Sequence, residues 1–208
     1  MIVVGLTGSV GTGKTELSKY IKKKKIPIFE CDNEVKIIYK SKFIFERIKR
    51  IFPEAINNNN INRRIVATSA FKDNNKLKKL EGLIYEQLKN IQKKWIRKQI
   101  MLRKKIVVFD VPLLFEKDSA DKYDTIVLLT CSSFIQKIRV LKRKDWDLER
   151  LNLTRNKQMK DSIKISLADE IIYTDRGKRN SFSKLLIILK KIDFFSRRPI
   201  PEILGKFS

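Results

Sequence analysis

Apolar residues gather along this chain in five short runs: Ile2 to Leu6, Ile26 to Cys31, Ile106 to Val111, Thr125 to Cys131 and Glu170 to Tyr173. Compact runs of this kind, without alternating polar positions, predict strands buried on both faces. Between them the apolar residues fall at helical spacing. From Lys14 to about Lys25, Leu17 and Ile21 fall on one side, and the segment ends in four lysines suited to the negative end of a helix dipole, with Pro27 expected to stop it. Strands alternating with helices predict right-handed crossovers and a parallel sheet covered on both faces, with ligand at the carboxyl ends of the strands.

The interval from Asn33 to Lys105, between the second and third strands, is far longer than a crossover needs and predicts a helical excursion. Within it Leu80, Leu83, Ile84, Leu88, Ile91, Trp95 and Ile96 recur at helical spacing, with Lys78, Lys79, Lys89, Lys93 and Lys94 on other faces. Such a stripe is core before it is anything else. The run Asn57 to Asn60 reads as a loop or linker. Near the end, Phe182 to Phe195 is amphipathic, with Leu185, Leu186 and Leu189 expected to dock a terminal helix on the sheet, and Arg197-Arg198-Pro199 reads as a frayed tail.

Directly after the first strand, Gly8-Ser9-Val10-Gly11-Thr12-Gly13-Lys14-Thr15 satisfies G-x-x-x-x-G-K-[ST] in full. The glycines allow backbone N–H groups to close around phosphate oxygens, Lys14 reaches the outer phosphates, and the Thr15 hydroxyl is placed to ligate Mg²⁺. The motif predicts a bound nucleoside triphosphate, held on the first turn of the following helix.

Composition narrows the chemistry. The chain has 208 residues, enough for one α/β domain with excursions. It has no histidine, which excludes imidazole catalysis, Ser-His triads and His-ligated metals and leaves proton transfer to carboxylates or lysines. Cys31 and Cys131 are too few and too far apart for a zinc pattern or a disulfide framework, so a reducing cytoplasm is the expected setting. No stretch reaches membrane-spanning length. The formal charge of +24 invites a nucleic-acid partner, but the lysines are spread throughout a chain rich in Ile and Asn, and no nucleic-acid module is present; none is expected as a dedicated partner.

Two further groups carry chemistry. Glu30 and Asp32 close the second strand at the sheet edge where the phosphate loop emerges, so a carboxylate there can face the γ-phosphate, orient a hydroxyl nucleophile and take its proton; a helix cap is the competing role for Asp32. Gln136, Arg139 and Arg143 share one face of the helix after the fourth strand, with Arg150 and Arg155 beyond. Guanidinium groups presented together bridge phosphate oxygens, and the segment from 136 to 155 reads as a mobile cover over the nucleotide.

Taken together these segments resemble dephospho-coenzyme A kinase, a P-loop family of the nucleoside-monophosphate-kinase-like group. Leu6-Thr7-Gly8 through Thr15 is similar to its phosphate loop, Phe29-Glu30-Cys31-Asp32 to its short acidic motif, Val111-Pro112-Leu113-Leu114-Phe115-Glu116 to its most distinctive signature, and Gln136-x-x-Arg139-x-x-x-Arg143 to its lid motif. Gln158 with Ala168-Asp169-Glu170-Ile171-Ile172, and Asn62-Arg63-Arg64 with Phe71, extend the likeness over residues 2 to 177. The chain departs from the family pattern at Tyr85-Glu86, where His-Pro is usual, at Glu16, where a small hydroxyl residue is usual, and at Thr174, where an asparagine associated with adenine is expected.

The resemblance implies a P-loop kinase: a five-stranded parallel sheet flanked by helices, a helical acceptor-binding excursion over 33–105 and a lid over 136–155, all in one domain. It implies phosphorylation of the ribose 3′-hydroxyl of dephospho-coenzyme A by ATP and Mg²⁺, giving coenzyme A and ADP, by a cytoplasmic monomer. Asp32 would be the base, with Lys14 and Arg139 stabilising phosphoryl charge. ATP would be held by Gly8, Gly11, Thr12, Gly13, Lys14, Thr15, Glu16, Arg143 and Thr174, the metal by Thr15, and the acceptor by Asp32, Arg63, Arg64 and Glu116. Another small-molecule or nucleoside monophosphate kinase, and a non-catalytic nucleotide-dependent nucleic-acid-binding protein, are the two rival readings.

Overall fold

The computed structural model describes residues 1–195, 203 and 205–207. Its elements, in chain order, begin with β1 (Ile2–Thr7), α1 (Lys14–Lys23), β2 (Ile28–Glu30), α2 (Cys31–Ile38) and α3 (Lys42–Ile51). A short pair of strands, β3 (Ile56–Asn57) and β4 (Asn60–Ile61), precedes α4 (Arg63–Lys72) and the long α5 (Asn74–Met101). The chain then runs through β5 (Ile106–Asp110), β6 (Thr125–Thr130), α6 (Ser133–Leu141), α7 (Leu148–Asn156), α8 (Asp161–Leu167), β7 (Glu170–Tyr173) and α9 (Lys178–Phe195).

The chain divides into two compact units, one of Met1–Glu30 with Ile96–Ser208 and one of Cys31–Trp95. In the first, five parallel strands lie in the order β2-β5-β1-β6-β7. The central strand, β1, is buried along its whole length, in register with β5 from Ile2 opposite Ile106 to Leu6 opposite Asp110. Along one face Ile2, Val4 and Leu6 meet Leu17 and Ile21 of α1 and Leu185, Ile188, Leu189 and Ile192 of α9, so the terminal helix docks on the sheet as its spacing predicts. Each such aliphatic side chain contributes about 1.5–3 kcal/mol on leaving water. Elsewhere Phe109 stacks on Phe207 at 4.9 Å and meets Phe29 and Tyr123. The expected tail at Arg197-Arg198-Pro199 lies outside the described residues.

Carboxylates just ahead of strands take backbone donors that parallel pairing leaves over. Asp124 accepts the Val3 N–H at 2.7 Å, and Asp169 accepts the Ile126 N–H at 2.7 Å. The Ala168-to-Ile172 segment singled out in the sequence therefore includes a structural fastening of β6 to the start of β7.

In the second unit the apolar stripe of α5 is core, as expected. Leu80 is buried with Ile44, Ile48, Phe52 and Val66, and Leu83, Ile84, Leu88 and Ile91 pack around them. Ser41 caps α3 by accepting the Ile44 N–H, and Asn62 caps α4 by accepting from Arg64 and Ile65.

Four local expectations are corrected. Residues Asn57 to Asn60 are a β-hairpin, because Asn58 and Asn59, with φ of 45° and 57°, tolerate the left-handed conformation that a two-residue type I′ turn requires. Asp32 does not close the second strand: β2 ends at Glu30, and Asp32 stands in the first turn of α2. Arg143 does not lie on the helix of Gln136 and Arg139, because α6 ends at Leu141 with Lys142 as its cap. Finally, α1 ends four residues before Pro27. Lys25 turns to a φ of 58°, its N–H bonds to the Lys22 carbonyl and the Ile26 N–H to that of Ile21, which is a Schellman closure with Ile26 folded onto the core.

A lysine in the left-handed region carries steric cost that a glycine does not. Lys25→Gly is expected to stabilise the protein by about 0.5–1 kcal/mol, raising Tm by roughly 2 °C; an unchanged or lowered Tm in thermal denaturation would contradict the closure described.

Candidate active site

The first strand delivers its carboxyl end into a loop whose shape is made by glycines. Gly8 sits at a φ of 155°, and a Cβ there would stand 2.6 Å from the Leu129 carbonyl oxygen, so backbone and not a pliable side chain forbids any other residue. Gly13, at a φ of 91°, is the N-cap of α1 and donates no side-chain cap, leaving the first N–H groups of the helix for a ligand. Thr12 closes the turn internally, its hydroxyl donating to the Ser9 carbonyl at 2.8 Å.

Lys14 and Thr15 open α1. The Lys14 ammonium pairs with Asp110, the last residue of β5, whose second oxygen accepts from the Ser18 hydroxyl at 2.7 Å. Neither Asp110 nor Ser18 was expected. The signal for Asp110 was present, since a carboxylate ends a wholly apolar strand that lies next to the one feeding the loop. Ser18 announces itself only as a small polar residue one helical turn after Lys14, on the buried face.

A cavity of about 400 Å³ opens beside the loop, lined among others by Gly11, Gly13, Thr15, Arg139, Thr174 and Phe182. Arg139 of α6 donates to the Thr174 hydroxyl and carbonyl, each at 2.8 Å, and the Thr174 hydroxyl donates in turn to the Thr12 carbonyl at 2.7 Å. The arginine is thus fixed to the loop through Thr174, at the position where the resemblance led to an asparagine. Arg143 also lines the cavity although it lies beyond the helix, with its guanidinium over the Trp146 ring at 5.8 Å. Glu16 also lines it and turns to two lysines, Lys178 at 2.8 Å and Lys19 at 3.1 Å. The hydrogen bond from Lys178, then that from Lys19, holds its carboxyl below the usual range. Along one side, Phe182 stacks face to face on Tyr20 at 4.1 Å.

The expected acceptor residues are divided between the two units. Glu116 belongs to the sheet unit and accepts from Lys164 at 2.8 Å and from the Met159 N–H at 2.9 Å with one oxygen, while its buried Oε2 has no hydrogen-bond partner. In the other unit, Arg63 donates to the Lys36 carbonyl at 3.0 Å and lies over the Tyr39 ring at 4.8 Å; Arg64 and Asp32 are exposed on α4 and α2.

Among the described residues no cluster of three or more His, Cys, Asp or Glu forms a metal cage. Thr15 and Asp110 carry three oxygens between them, the two of Asp110 engaged by Lys14 and Ser18; so small a set fits Mg²⁺ carried in with a nucleotide, since that ion keeps most of its shell as phosphate and water.

A family model described as dephospho-CoA kinase matches residues 2–180. A protein of that name from Bartonella quintana is 33% identical over 192 residues, covering 92% of this chain and 98% of its own. Among solved structures, TT1252 from Thermus thermophilus superposes with a TM-score of 0.83 at 24% identity, over 92% of this chain and 97% of its own. The dephospho-CoA kinase from Campylobacter jejuni gives 0.67 at 17% identity over 92% and 96%. At those identities the structural likeness concerns the fold.

Burial pushes the Glu116 carboxyl up, but the hydrogen bonds from Lys164 and the Met159 N–H and the Lys164 charge outweigh it, and the carboxyl lies below its ordinary value of 4.5. Stabilisation from a lowered carboxylate pKa is present above the unfolded-state value and is lost as pH falls through the folded one. Wild type should therefore exceed Glu116→Gln in Tm at pH 7, and the gap should close below about pH 4.5; a gap independent of pH between 3 and 7 would contradict the pairing.

Proposed function

The chain belongs to the dephospho-CoA kinase family, and we propose that it transfers the γ-phosphoryl group of ATP to the ribose 3′-hydroxyl of dephospho-coenzyme A, releasing coenzyme A and ADP as the last step of coenzyme A synthesis. The observation that carries the reading is the phosphate loop with its two fixed cations: Lys14 oriented by Asp110, and Arg139 oriented by Thr174 and lying against Gly13 of the loop.

Phosphoryl transfer asks for positioning and charge stabilisation more than for covalent help. The N–H groups at Gly11 and Gly13 and the first turn of α1 suit the phosphates, with Gly8 fixing the entry of the loop. Lys14 and Arg139 neutralise charge on the transferring group, and Arg143, at the mouth of the cavity, adds to it. Thr15 and Asp110 would hold Mg²⁺, which would supply Lewis-acid neutralisation of the phosphate oxygens when bound with ATP. The stacked Phe182 and Thr174 suit the base and ribose side of the cavity, and Glu16 with Lys178 borders it.

Asp32 acts as the base. The 3′-oxygen bonds to the γ-phosphorus as the bond to the ADP oxygen breaks, and the hydroxyl proton passes to the Asp32 carboxylate. Asp32 stands in the first turn of α2, where a carboxylate meets the favourable end of the helix dipole. Arg63 and Arg64 hold acceptor phosphates. The partnerless Glu116 Oε2 supports a further acceptor contact, because a buried oxygen without a donor invites one from a ligand. Residues 33–105 form the acceptor-binding excursion, and residues 136–155 serve as the lid. Cys31 and Cys131 form no disulfide, which suits the reducing cytoplasm in which this synthesis would proceed.

ADP release should be seen with Mg²⁺-ATP and dephospho-coenzyme A and not with nucleoside monophosphates. In Asp32→Asn it should fall by roughly 10² or more at unchanged Tm. A folded, ATP-binding sample silent on dephospho-coenzyme A would overturn the reading; full turnover in the variant would remove Asp32 from it.

A further inference from the structure

Lys164 is wholly inaccessible to solvent, in a chain whose other lysines lie at or near the surface. Removing an ammonium from water is costly and persists only where partners compensate it. Its partners lie on two separate segments. Nζ pairs with Glu116 Oε1 at 2.8 Å and donates to the Ser9 hydroxyl oxygen at 3.2 Å, so one buried charge joins helix α8 both to the Val111–Glu116 segment and to the phosphate loop.

Lys164 does not line the cavity beside the loop. Its neighbours, however, fix the two loop residues between Gly8 and Gly11. The Ser9 hydroxyl donates to Asp161 Oδ1 at the start of α8, while Asp161 Oδ2 accepts from Thr130 at the end of β6. The Val10 N–H donates to Gln158 Oε1 at 3.1 Å, and the Val10 carbonyl accepts from Gln136 at 2.6 Å; Arg155 donates to the other end of that amide. Ser9 and Val10 thus have every polar group named here engaged by residues 130–164, and Ser9 in addition carries the carbonyl that Thr12 closes upon. Held in this way, the Ser9–Val10 segment is fixed ahead of the Gly11–Gly13 stretch that a nucleotide needs.

We propose that Lys164 is a positioning residue for nucleotide binding: acting through the Ser9 hydroxyl, it sets the conformation of the phosphate loop before a phosphate arrives. A preset loop binds without the ordering cost that a loose one incurs. The proposal deepens the phosphoryl-transfer reading, and its test uses nucleotide binding alone, so that it stands or falls independently of the acceptor.

The probe is Mg²⁺-ADP, titrated calorimetrically into full-length protein, with Tm recorded for each variant. Lys164→Met removes the charge at similar volume and leaves Glu116 unpaired. The double variant Lys164→Met with Glu116→Gln removes both charges, and Ser9→Ala breaks the link while leaving the buried pair in place. ADP affinity should fall by about tenfold in Lys164→Met, should stay low in the double variant even as its Tm recovers, and should fall in Ser9→Ala with Tm nearly unchanged. Lys164→Arg, which keeps a donor for both partners, should recover part of the loss. Should Lys164→Met fail to fold, the double variant and Ser9→Ala decide. Wild-type ADP affinity in a folded double variant, or in Ser9→Ala, would overturn the proposal and leave Lys164 as a buried pair serving stability alone.

Discussion

A phosphate loop has to hold backbone N–H groups open toward a ligand, and that requirement governs this structure. A chain in such a shape forms neither helix nor ladder, so its conformation comes from positive-φ glycines and from neighbours that occupy every polar group not meant for phosphate. Gly8 is pressed against the Leu129 carbonyl and Gly13 starts α1 without a side-chain cap. Between them Ser9 and Val10 are tied to residues more than a hundred positions away. The central, fully buried β1 and the docked α9 supply the rigid base on which so unsupported a segment can be held.

Charge follows the same logic. The chain carries +24, yet the cations at the loop are each paired with a specific oxygen. Lys14 is directed by Asp110, Arg139 by Thr174, and Lys164 by Glu116. Fixed donors cost little further reorganisation when phosphate charge develops, which is the condition under which electrostatic stabilisation is most effective. By contrast Glu16, with its lysines 19 and 178, is an exposed pair of the kind that salt screens and that contributes little to stability.

Family likeness and physical reading meet at Thr174. The resemblance led to an asparagine at that position. In this chain the hydroxyl receives Arg139 and donates to Thr12, so the residue serves the loop's geometry through one atom acting as both donor and acceptor. Gln136, buried beneath the loop with its amide bonded at both ends, shows a similar economy on the opposite side.

Much of this was legible in the residues themselves. Five strands, the phosphate loop, the core stripe of α5 and the docked terminal helix follow from compact apolar runs, from the 3.6-residue period and from glycine spacing, because these are local consequences of backbone geometry. Even the closure of α1 and the hairpin at Asn58-Asn59 were written locally, though in left-handed conformations that composition does not announce. What only the tertiary structure decided were the long-range partners: Asp110 for Lys14, Thr174 for Arg139, Asp161 and Lys164 for Ser9. Such pairs are separated by 35 to 155 residues, and side-chain identity at one position carries no mark of the distant oxygen or ammonium it will meet. Lys164 is the clearest case, since in sequence it is one lysine among many, and burial alone makes it singular.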